Sequence, residues 1–191
     1  SSGSDQPFLQ AVSATLASFR PETKTFLAAR GLLAPTVQML LRASQKTVAR
    51  PEDYLEGRAH PTAFDAADLD VERLVRMAHD LTTNDIPPLV VLRTLAEKRG
   101  VPGVDFFEAG GGEAVYDSPC VISRIFRGTA YRHTLTVAAQ LSAAPTNGWR
   151  LQWVVLRGDP GKIALRPLRP DQSLLEISVA YHGGRFPVRP G

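Results

Sequence analysis

The chain has 191 residues, 43% of them hydrophobic and 21% charged, a balance that fits one full globular domain or two small ones and excludes a disordered or fibrous polymer. Its single cysteine, Cys120, excludes an internal disulfide and any multi-cysteine zinc site. The net charge of +3 conceals an asymmetry: residues 1–119 carry 12 basic and 16 acidic side chains, residues 120–191 carry 10 and 3.

The predicted elements begin with a helix. Phe8, Val12, Leu16 and Phe19 recur at spacings of four, four and three, which gives one apolar stripe ended by Pro21. A second short helix runs through Phe26 and Leu27 to Gly31, placed as a C′ glycine. Pro35 suits the first turn of a third helix, whose inner face is Val37, Leu40, Leu41, Ser44 and Val48. "RPEDYLEG" reads as a single turn between Pro51 and Gly57, and "GRAHPTAFDAADLD" as a loop. Asp70 is an N-cap for the fourth helix, where Val71, Leu74, Val75, Ala78 and Leu81 keep helical spacing.

"NDIPPLVVLRTLAEKRG" has two readings: Pro87-Pro88 can open a helix ended by Gly100, or Val90, Val91 and Leu92 can form a strand, which their β preference favours. "VPGVDFFEAGGGEAVYD" reads as a loop with Gly110-Gly111-Gly112 at its tip. Ser118-Pro119 resembles an N-cap and first turn, so a short helix is expected over residues 118–127. After Gly128 the period changes to two. Tyr131, His133, Leu135, Val137 and Ala139 alternate with Arg132, Thr134, Thr136 and Ala138 along a strand. Asn147-Gly148 signals a hairpin turn; Leu151, Trp153 and Val155 line the following strand; Ile163 and Leu165 form a short one; residues 174–181 form the last. The tail "HGGRFPVRPG" leaves the domain. The pattern therefore predicts an α+β chain: a helical region over 1–85, then an antiparallel β-sandwich over 86–191 with a short helix at 118–127.

The order "LTVAAQLSA", "PTNG", "LQWVVLRG", "KIALRPL" and "LLEISVAYH" resembles a PKD module, an immunoglobulin-like sandwich of extracellular and bacterial exported proteins. The resemblance spans residues 134–179, under a third of the chain, and places Trp153 in the sandwich core. The acidic turn of many family members is missing, as is a final strand after His182; either the chain is cut from a longer protein or a strand over 89–95 completes the sheet. "PEDYLEGRAHPTAFDAADLD" and "IPPLVVLRTL" are similar to internal parts of large bacterial proteins. The resemblance implies a non-catalytic structural or interaction module of a larger, exported bacterial protein, secreted or periplasmic, without a cofactor.

Other chemistry has sparse support. His60, Asp65 and Asp68 share one loop, the one local cluster that suits a metal-dependent hydrolase fragment, yet none of the four histidines has HExxH or His-x-His spacing. Cys120, at the start of the expected short helix, suits a nucleophile, although a lone cysteine in an apolar run more often behaves as a small hydrophobe. "AGGGEA" lacks the lysine of a phosphate loop. Arg157-Gly158-Asp159 matches an adhesion tripeptide, but "GDPG" is turn chemistry and follows a strand. Arg150, Arg157, Lys162 and Arg166 rim that turn and are the binding candidates, for a protein or a polysaccharide. Nucleic acid is the further alternative, with Tyr131, Trp149 and Trp153 as stacking partners. No apolar run reaches the roughly 18 residues of a membrane span.

Overall fold

The computed structural model describes residues 5–98, 103–104, 112–126, 132–142 and 150–182, with residues 112–117 and 126 described by their backbone. The Asn147-Gly148 turn, Tyr131, Trp149 and the tail after His182 lie outside the described residues. The chain divides into two units, Ser1–Pro87 and Pro88–Gly191, one helical and one β, so the fold class is α+β. Among the described residues no helix is long and apolar enough to cross a membrane.

The first unit holds α1 (Gln6–Ser18), α2 (Pro21–Ala29), α3 (Leu33–Ala43) and α4 (Val71–Asp80), with 3-10 turns at Pro51–Leu55, Gly57–Ala59 and Ala66–Asp68. Local chemistry sets each boundary. Gly31 ends α2 at φ +66, and the N–H groups of Gly31 and Leu32 donate back to Ala28 and Leu27 at 3.2 and 2.9 Å. That is a Schellman closure, which a side chain at Gly31 would strain. Asp70 caps α4 by accepting the Arg73 N–H at 2.9 Å. The far end of α4 is closed from α2, where Arg20 donates to the His79 carbonyl and Thr23 to that of Leu81, both at 3.0 Å. The core gathers Ala11, Phe19, Leu27, Val37, Leu40, Leu41, Leu74 and Ala78.

The long connection from α3 to α4 is organised by two buried polar side chains. Gln45 donates its amide to the carbonyls of Arg42 and Ala59 at 3.0 and 3.2 Å. Asp53, 2% exposed, accepts the backbone N–H groups of Ala49 and Arg50 at 3.0 and 2.9 Å and pairs with the Arg50 guanidinium at 3.3 Å. These bonds supply partners to backbone that no helix satisfies.

The second unit is built on a four-stranded antiparallel sheet of order β1-β4-β6-β5, with β1 (Val90–Lys98), β4 (Arg132–Leu141), β5 (Ile163–Pro167) and β6 (Leu174–Ala180). β2 (Gly112–Ser118) and β3 (Val121–Phe126) form a separate hairpin. The register aligns Glu97, Leu135, Ile177 and Leu165 in one row and Thr94, Val137, Leu175 and Pro167 in the next, which makes one mostly apolar face. Val137, Ala139 and Leu175 are buried on it. Thr136, Glu176 and Arg166 make a row on the opposite face.

Several expectations fail. Residues 112–117, read as loop, belong to β2, and α3 ends at Ala43, before Val48. Residues 118–126 are no helix: Ser118 ends β2 and Val121 starts β3. Ser118 Oγ accepts the N–H groups of Cys120 and Val121 at 3.2 and 3.1 Å, the same service a helix N-cap gives, here to a hairpin turn. The β-branched Val121, Ile122 and Ile125 then favour the strand. The Pro119 carbonyl also accepts the Leu92 N–H of β1 at 2.7 Å. Equally, residues 151–156 form no strand. β4 and β5 already occupy both edges of β6. The segment meets the β5–β6 connection by a side chain instead, the Trp153 indole donating to the Gln172 carbonyl at 2.9 Å.

Candidate functional site

The apolar stripe of α1 is wider than its packing seam. Ala11 and Thr15 are fully buried, and α1 packs chiefly against α4. Phe8, Val12 and Leu16 are only half-buried. Small residues let the helices approach closely, and the larger row beside them overhangs. On the facing helix, α3 presents Leu33, Val37 and Leu41 at successive intervals of four residues, with Ala34, Pro35 and Gln38 beside them. The Schellman corner at Gly31 reverses the chain between α2 and α3.

Between Val12 and Leu16 of α1 and this row of α3 lies a groove of about 730 Å³. Its volume falls in the range of about 300–1,000 Å³ over which proteins hold ligands. The lining is apolar apart from the Gln38 amide, and Phe64, from the loop after His60, completes it. Phe64 is held between two neighbours: the Phe8 ring, with centroids 6.3 Å apart, and the Arg42 guanidinium, 5.3 Å from its ring centre. Arg42 donates to the Ala59 carbonyl at 3.3 Å. Among the described residues, no carboxylate lies within ion-pair distance of Arg42. Tyr54, also near Arg42, has its phenol pushed above its ordinary value by burial, with the Arg42 charge opposing.

The basic candidates are placed differently. Arg150 and Arg157 are exposed, and Lys162 ends the 3-10 turn Pro160–Lys162 half-buried. Arg166 is committed to Glu176, its Nε and Nη2 both reaching Oε1, at 3.0 and 2.9 Å. The Arg-Gly-Asp tripeptide is a packed bend. Gly158 has φ +104, and Asp159 spends its carboxylate on the Gly161 N–H at 2.9 Å. The Asp159 N–H donates to His182 Nε2 at 3.2 Å, so His182 Nδ1 is the ring N–H, aimed at the Ala180 carbonyl 2.9 Å away.

The His60 loop does not assemble a metal centre. His60 Nε2 bonds the Tyr54 carbonyl at 2.8 Å and its ring stacks edge-on to Tyr54, while Asp65 caps the Ala67 N–H at 2.9 Å. Among the described residues, no three His, Cys, Asp or Glu side chains are grouped to hold a metal ion. Cys120 is exposed on the hairpin turn, away from the helix start that would have suited a nucleophile.

The groove was not legible as a site because its residues read as ordinary core. The one signal was the breadth of the α1 stripe beside Ala11 and Thr15. Compared with family models, curated proteins and solved structures, the chain matches none of them.

Proposed function

We propose that the chain is a non-catalytic interaction module of a larger, exported bacterial protein, with the helical unit as its binding face. The observation that carries this is the groove between α1 and α3, an apolar cleft whose half-buried walls include Val12, Leu16, Leu33 and Phe64. The residues with reactive chemistry support the non-catalytic reading in another way, since His60, Asp65, Asp159 and His182 are each engaged in holding local backbone.

The β unit serves in this reading as an immunoglobulin-like spacer. Its four-stranded sheet has an apolar face, and the β2–β3 hairpin reaches that face through Arg124, which pairs with Glu97 at 3.0 Å. Trp153 ties a further segment to the β5–β6 connection. A hairpin and an extended segment would then stand where a sandwich has its second sheet. The export assignment rests on the PKD resemblance of residues 134–179.

A neutral solvatochromic dye, Nile red, tests the binding face on the full chain. Ala34 is exposed and lines the groove, so Ala34→Trp fills it without entering the core. The expected result is saturable dye emission with the native chain and at least about tenfold weaker binding by the variant. Equal binding by both would remove the groove from the account.

A further inference from the structure

We infer that the groove takes an amphipathic helix from a partner protein, one that carries an acidic side chain beside its apolar anchors. This rests on the groove being the binding face, and three observations specify the occupant. Both walls are helices, which present side chains and no strand edge. The groove therefore offers an extended peptide no edge to extend as a sheet, whereas a helix arrives with its own backbone satisfied and needs only side-chain complementarity.

The spacing fits as well. Leu33 and the outer edges of the core residues Val37 and Leu41, each 8% exposed, run along one row of α3, which spans about 12 Å at 1.5 Å per residue. Two turns of a docked helix cover that length with anchors at i, i+4 and i+7. Charge supplies the third. Phe64 lines the groove and carries the Arg42 guanidinium against its ring, and the only hydrogen-bond acceptor of Arg42 among the described residues is the Ala59 carbonyl. A carboxylate on the partner, about one turn beyond its apolar anchors, would complete that cation and fix the direction in which the helix lies.

The test uses the full chain and two fluorescein-labelled, lactam-stapled peptides of about 15 residues, long enough for helical structure once stapled. Both carry Leu at i, i+4 and i+7; one has Glu and the other Lys one turn beyond. The Glu peptide is expected to bind with fluorescence anisotropy that saturates, about tenfold tighter than the Lys peptide. Arg42→Glu is expected to reverse that preference, and Ala34→Trp to abolish binding of both. If Arg42→Glu fails to fold by circular dichroism, the two peptides on the native chain decide the matter alone. Equal affinity for the Glu and Lys peptides overturns the proposal. So does binding of laurate without binding of either peptide. Nile red separates the two levels: dye bound in the groove without peptide binding sinks the helical partner and leaves the groove standing, while dye indifferent to Ala34→Trp sinks the groove itself.

Discussion

Gly158 shows how a single position can decide between two meanings of one motif. A Cβ built there would lie 2.6 Å from Ile163 Cδ1, and the backbone already sits at φ +104. The turn requires glycine and a Cβ would also push the end of the Ile163 side chain aside, so Gly158→Ala is expected to destabilise the β unit by about 1–3 kcal/mol, seen as a lower denaturant midpoint at unchanged slope. An adhesion signal would instead need Asp159 free. Asp53 is the corresponding residue of the helical unit. The Arg50 backbone N–H, reinforced by the Arg50 and Arg58 guanidinium groups, holds its carboxyl below the ordinary 3.8, against the opposing cost of burial. A depressed value means stability that is present above about 3.8 and lost as pH falls through the lower, folded value. Asp53→Asn is therefore expected to lower the melting temperature at neutral pH, with the gap from the native chain closing below pH 3.8. A gap that stays constant across that range would contradict the assignment. At this scale the sequence was readable where one residue type serves one backbone need: Gly31 as the C′ residue and Asp70 as the N-cap. Asp53 was not readable, because its partners come from a turn whose path no periodicity describes.

At the scale of elements, the same local signal can serve two structures. Ser118-Pro119 satisfies two N–H groups in a hairpin as readily as at a helix start, and only the pairing of β3 with β2 separates them. The strands β4, β5 and β6 were legible because one face of each is apolar and period two is a strong signal. The segment around Trp153 has that alternation too, yet it pairs with neither β1 nor β5, the outer strands of the sheet, and no local pattern marks that outcome. Beside the Leu92 N–H bond to the Pro119 carbonyl, an ion pair joins the hairpin to the sheet, and it has no sequence signature. Arg124 and Glu97 are 27 residues apart and their side chains only 9% and 10% exposed. Arg124 keeps its bonds to the Ser123 carbonyl and Thr94 Oγ1, so Glu97→Ala is expected to cost less, read from the denaturant midpoint, than the roughly 3–5 kcal/mol of a fully orphaned buried charge. A double replacement, Glu97→Leu with Arg124→Met, is expected to recover most of that loss. A midpoint unchanged by Glu97→Ala would mean that the hairpin is held by something else.

For the whole molecule, periodicity foretold an α+β chain, and the distribution of charge, acidic in the first part and basic in the second, drew the binding face toward the basic part. Arg166 is neutralised by Glu176, and Asp159 is used up in its own turn. An apolar groove lies instead in the helical unit, between stripes that each look like core when read alone. A groove is a relation between two helices, so it becomes visible only when their packing is known. The most direct measurement is a Nile red titration of the native chain, of Ala34→Trp, and of a chain with Arg150, Arg157, Lys162 and Arg166 all replaced by Gln, at low and high salt. The account predicts that Ala34→Trp alone loses the site and that salt leaves the affinity unchanged, since the dye is neutral and the groove apolar. Loss of the site in the Gln-substituted chain, with full binding by Ala34→Trp, would contradict it.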